Sequence, residues 1–216
     1  MDTTLSRRQF LSAGAGLSLL ALPACTSIGN YAYEDAVRRL LLVSSQRAFG
    51  RLLREDGFQA DALTRIALPP PLAMAAQERL AGLVNEAARA GAERAAPVVT
   101  EAIQGLTVID AAAVIRDGPT AATDLLRREL GEGLFTVLLP GVGEALRFGE
   151  GGLVAQALAA AAGINFEGLR LDVARQASDA IYRAVGREEA AIRADPSSVG
   201  DVFLRAALTE EELRRR

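Results

Sequence analysis

The chain contains no histidine, no lysine and no tryptophan, and its one cysteine is Cys25. Each absence removes a chemistry. Without histidine there is no Ser-His-Asp or Cys-His nucleophile, and without lysine no Schiff base and no phosphate-loop ammonium. Zinc, haem and iron–sulfur centres held by His and Cys are excluded by the same counts, and no cofactor is expected. Aromatic residues make up only 5% of the chain, so a sugar-stacking cleft is hard to build. An excess of positive charge is also missing: 24 basic residues stand against 27 acidic ones, a net charge of −3 at pH 7. Nucleic acid, whose recognition rests on a basic surface, is not an expected partner.

The stretch SRRQFLSAGAGLSLLALPAC, Ser6 to Cys25, reads as an address. Arg7 and Arg8 form its charged start and a weakly apolar run from Phe10 to Ala24 follows. That run is shorter than the roughly 20 residues a membrane span needs, so residues 1–24 are expected to be a cleaved signal. Arg7-Arg8 with Phe10 and Leu11 resembles the twin-arginine export motif; an ordinary secretory signal with two chance arginines is the alternative. Leu22-Pro23-Ala24-Cys25 resembles a bacterial lipoprotein box, which implies a lipid on the Cys25 thiol. Plain cleavage after Ala24 is the competing reading. By the same resemblance, Thr26 in place of Asp permits passage to the outer membrane.

Residues 25–32 are expected as a short linker, 33–208 as a single helical domain and 209–216 as a charged, frayed tail. Within the domain the apolar period is helical. Val37, Leu40, Leu41, Ser44, Ala48 and Leu52 form one stripe, closed by Gly57. TRIALPPP (64–71) reads as a stiff connector, followed by a helix to about Gly82 and a second, rich in small residues, from Leu83 to Gln104. Thr107 with Asp110 looks like a cap and third-position acid opening a short helix. A helix is expected from Thr120 to Leu139, closed or kinked at Pro140, then an alanine-rich one from Leu153 to Ala162 after GEGG (149–152). The last long helix, Glu167 to Ala194, has Leu171, Ala174, Ser178, Ile181, Val185, Glu188 and Ile192 on its stripe and stops before Pro196. No strand pattern competes, so the expected class is all-α, a compact bundle of about seven to eight helices after the cleaved signal.

The densest polar cluster is Glu188, Glu189, Arg193 and Asp195. Glu189 and Arg193 have the spacing of a helix-surface ion pair. Glu188 falls on the apolar stripe, where a carboxylate needs a partner, and Arg127 or Arg128 could supply one. The cluster reads either as a carboxylate site in a groove or as structural ion pairing. Thr123 and Asn85 read as a capping residue and a local hydrogen-bonder.

LTVIDAAAVIRDG (106–118), AATDLL (121–126) and REEAAIRADP (187–196), in that order and after RIALP (65–69), resemble the bacterial family called domain of unknown function 4197, over roughly residues 55–208. The resemblance implies a secreted or lipid-anchored helical protein of a Gram-negative bacterium, with no established activity. This chain departs from the family at Leu125 and Leu126, where members tend to carry aromatics, and at Ala180, Ile181 and Tyr182, where they tend to carry Gly-Leu-Phe. Taken together, the chain is expected in the periplasm, held to the inner or outer membrane by its lipid. There it would be a non-enzymatic helical module binding an apolar small molecule or an envelope protein. The alternatives are a carboxylate-dependent envelope hydrolase, which needs two acids about 5 to 9.5 Å apart, and a purely structural envelope component.

Overall fold

The computed structural model describes residues 24–68, 70–148, 152–161, 163 and 165–215. Arg7, Arg8 and the rest of the expected signal up to residue 23 lie outside the described residues, as do 149–151 of GEGG. The described residues form helices and no strand, the expected all-α bundle.

Helix α1 (Ala24–Leu52) buries the stripe read from the sequence, from Val37 to Leu52. It begins at Ala24, so residues 25–32 are its opening turns and not a linker. Once the packed half of a helix exists, further turns add a hydrogen bond per residue, which carries the helix through the weak helix formers Thr26, Ser27, Gly29 and Asn30. At the other end the chain folds back over α1. A Cβ on Gly57 would lie 2.2 Å from the Leu52 carbonyl oxygen, so only glycine allows that turn. Residues 53–68 then run as an irregular strap. Asn85 holds it: its Oδ1 accepts from the Phe58 N–H at 3.0 Å and its Nδ2 donates to the Glu55 carbonyl at 2.6 Å. The residue read as a local hydrogen-bonder is thus a long-range one.

Helix α2 (Pro70–Gly105) is continuous where two helices were expected, and Pro97 lies inside it. The proline is exposed, so the Glu93 carbonyl that loses its helical donor lies on the outer face, where solvent can replace it. The helix packs most extensively on α5 (Gly133–Phe148). Gly91 and Gly141 meet at that crossing, where a Cβ on Gly141 would stand 2.7 Å from the Ala90 carbonyl oxygen. Small residues here let two backbones touch.

Between α2 and α5 lie α3 (Ala111–Arg116) and α4 (Ala121–Leu130). Asp110 is the cap of α3, accepting from the Ala113 N–H at 2.9 Å, while Thr107, expected in that place, stands exposed. Gly131, at φ +50°, ends α4, so the expected helix from Thr120 to Leu139 is two helices. Pro140 neither closes nor ends α5 but lies inside it.

After α6 (Gly152–Ala161), the long α7 (Phe166–Ala194) crosses the bundle, packing on α1 and α5. Leu171 is 38% exposed, contrary to its expected place on the stripe; Leu169 and Val173 turn inward instead. A short 3-10 turn leads to α8 (Val202–Arg215), which carries helix through most of the expected tail. No helix among the described residues is long and apolar enough to cross a membrane.

Candidate functional site

Glu188, Glu189, Arg193 and Asp195 do not form one site. Glu189 is fully buried on the face of α7 that meets the start of α4. Its carboxylate accepts the Ala122 and Thr123 N–H groups at 3.0 and 2.7 Å and the Thr123 hydroxyl at 2.6 Å. The first N–H groups of a helix have no partner within it, and Thr120 offers its own helix no side-chain cap, so Glu189 caps α4 from outside. Arg193, one turn on, donates from Nε to Glu189 at 2.8 Å and from its two terminal nitrogens to the Ile115 and Val114 carbonyls at 2.7 and 2.9 Å. Those carbonyls belong to the end of α3. One ion pair therefore puts its anion at a helix start and its cation at a helix end, the favourable sense for both dipoles. Thr123 is part of this clamp, a second donor to Glu189 and not a cap.

Glu188 is also buried, at 2% exposure, but it faces α1. Its partner is Arg51, whose guanidinium lies 2.5 Å away, and not Arg127 or Arg128. Arg127 is instead paired with Asp179 and stacked 5.1 Å from the Tyr182 ring, and Arg128 is exposed. The correction is one of direction: Glu188 and Glu189 are adjacent on the helix, and 100° of rotation sends them to different neighbours. Asp195 is exposed and caps the 3-10 turn, accepting from the Ser197 N–H and hydroxyl at 3.1 and 2.5 Å.

Beside the clamp an open cleft of about 350 Å³ lies between α4, α7 and the strap. Leu63, Gly186, Ala190 and the Tyr182 ring supply its mainly apolar wall. The strap is pinned across α7 at several points. Asp61 pairs with Arg187, the Leu63 carbonyl accepts from Arg183 Nε at 2.8 Å, and Ala67 exchanges two hydrogen bonds with the Gln176 amide at 2.7 and 3.0 Å. Gly186 lets α4 approach, since a Cβ there would lie 3.1 Å from the Thr120 methyl.

A second cleft of about 210 Å³ adjoins the first and shares Arg127 and Tyr182 with it. Its lining is mainly polar, with Arg175, Ser178, Asp179 and Glu132 among its residues. At the seam stands Tyr182, 5% exposed, whose hydroxyl is buried and has no hydrogen-bond partner. Burial pushes its phenol up to about 12, so near neutral pH it is a hydrogen-bond donor. The sequence marks Tyr182 only as a departure from the family pattern and gives Arg175 and Arg183 no role. The available signal was an aromatic polar residue on the inner face of α7 in a chain with few aromatics.

Carboxylates are sparse in the apolar cleft: Asp124 is the acid on its wall, held by the Thr120 hydroxyl at 3.2 Å. No group of three or more His, Cys, Asp or Glu side chains able to hold a metal occurs among the described residues.

An all-helical bundle, with one helix clamping the ends of two others beside a divided cleft, is the class of protein this geometry defines. Three segments meet at the clamp, LTVIDAAAVIRDG, AATDLL and REEAAIRADP. The profile of the family described as a protein of unknown function (DUF4197) matches residues 27–208, and the chain belongs to that family. The match starts well before Glu55, taking in most of α1. No curated protein and no solved structure matches the chain.

Proposed function

We propose that the protein is an exported, lipid-anchored module of the bacterial cell envelope that binds a small molecule in the cleft between α4 and α7. The observation that carries the ligand reading is the pair of adjoining clefts, one apolar and one polar, that share Arg127 and Tyr182, with the Tyr182 hydroxyl buried and without a partner behind them. Leaving a buried donor unpaired costs about 1–3 kcal/mol, and a ligand acceptor would recover it. A first cleft of about 350 Å³ is within the range of small-ligand sites, about 300–1,000 Å³. Export and anchoring are supported by the sequence from Arg7 to Cys25. A hydrolase working with two opposed carboxylates draws less support, because Glu188 and Glu189 are committed to Arg51 and to the α4 start.

Native mass spectrometry of the protein expressed from its full chain and released from bacterial envelopes tests this. A small molecule bound to the lipidated protein and lost in Tyr182→Phe is the expected result; a bare lipidated chain would count against ligand binding. For the anchor, Cys25→Ser should move the protein out of salt-washed membranes, and retention there would remove the lipid from the proposal.

A further inference from the structure

We infer that the ligand is an anionic, single-chain amphiphile, its chain in the apolar cleft and its carboxylate or phosphate end in the polar one; this rests on the ligand-binding reading above. Two clefts of opposite character meet at Tyr182 and Arg127, and a molecule with one apolar and one polar end fills both at once. The apolar cleft, about 350 Å³, is near the lower limit for ligand sites of about 300 Å³, which suits one chain and not two.

The sign of the polar end follows from the groups facing it. The Tyr182 hydroxyl is an unpaired donor buried behind the lining of the polar cleft. Arg175 lies two turns before Tyr182 on α7, stacked 5.3 Å from the Phe135 ring, and has no carboxylate partner among the described residues. The acids of this cleft are Asp179, paired with Arg127, and the exposed Glu132. At the mouth of the apolar cleft Arg183 also lacks a carboxylate among the described residues; its Nε holds the Leu63 carbonyl. An oxyanion would sit against the Arg175 guanidinium in a charge-assisted hydrogen bond, and rotation of the Tyr182 side chain would let the buried phenol donate to it as well. The shared chemistry is an anionic oxygen on a chain, whether from a fatty acid or a phosphorylated lipid fragment.

The test is titration of the full-length protein, washed free of bound small molecules, with decanoate, decyl phosphate, decanol, decylamine and inorganic phosphate. Calorimetry and tyrosine emission, which no tryptophan obscures, read the binding. One anionic probe should bind at least about tenfold tighter than decanol, the worth of a single charged hydrogen bond. Which anion wins separates the two sources. Arg175→Gln should bring the anion-to-decanol ratio towards one, and Tyr182→Phe should lower it; Arg175 is exposed, so its loss leaves the core intact, and circular dichroism checks this. Decanol or decylamine binding as tightly as the anions would overturn the inference while leaving a ligand site in place. Inorganic phosphate binding as tightly as decyl phosphate would overturn the amphiphile. Binding of none of the five, with a bare protein in the mass spectrometer, would instead sink the ligand-binding reading itself.

Discussion

Two turns of α7 separate Glu189 from Tyr182, and both are buried against α4, yet they are opposites in hydrogen bonding. Every bond the Glu189 carboxylate needs comes from within the chain: two N–H groups, a hydroxyl and a guanidinium. Tyr182 receives none. Such a set offsets the desolvation of a fully buried charge, so the first position is explained by folding alone. An unsatisfied buried hydroxyl is a cost to folding, so the second position is not explained by folding alone, and it is this cost that the proposed ligand would relieve.

The contrast can be broken most forcefully at Glu189. Glu189→Ala strands Arg193 and the first N–H groups of α4, and breaking a buried pair from one side costs about 3–5 kcal/mol. Urea denaturation should show that loss, and a change under about 1 kcal/mol would mean the α4 start finds another cap. Glu188→Gln should cost less, about 1.5–3 kcal/mol, because what it gives up is a charged hydrogen bond to the half-exposed Arg51. An unchanged melting curve would show that Arg51 contributes nothing to Glu188.

At Tyr182 the sign reverses. Tyr182→Phe should stabilise the ligand-free protein by about 1 kcal/mol, since it deletes an unpaired buried hydroxyl and keeps the ring under Arg127. Destabilisation would mean the hydroxyl has a partner, such as a trapped water. The same tyrosine sets a pH dependence. Its folded value, about 12, stands above the unfolded value of about 10, so its contribution is present below pH 10 and is lost between pH 10 and 12. Alkaline absorbance titration should show a tyrosinate step near pH 12 that Tyr182→Phe removes. The smallest effect is expected at Ser44, fully buried with an unpaired hydroxyl but beside no cleft described above. Ser44→Ala should raise stability by less than about 1 kcal/mol and leave ligand binding unchanged.

The helical class and most core stripes were legible because period 3.6 survives in any sequence that must bury one helix face. Glycine and proline were harder to read. Pro140 reads as a close or kink but lies within a helix, as Pro97 does, while Gly131, which looks like a weak point, is a true end because it adopts positive φ. The polar cluster was found, but its meaning depended on partners far along the chain: Arg51, Val114 and Ala122. Spacing along one helix says which residues share a face and nothing about what meets it. Tyr182 was harder still, since a missing hydrogen bond leaves no mark in a sequence.

Because α1 starts at Ala24, Cys25 sits at the head of a 29-residue helix on the order of 40 Å long. Near its far end Arg51 reaches Glu188, next to Arg187 of the cleft wall. Most of that length lies within the bundle, since Glu34 and Val37 are already buried, so a lipid on Cys25 would be joined to the domain by about two and a half turns of helix. Such a tether would keep the bundle on the order of 15 Å from the bilayer surface, and the lipid's own flexible joint would leave the tilt of the domain free.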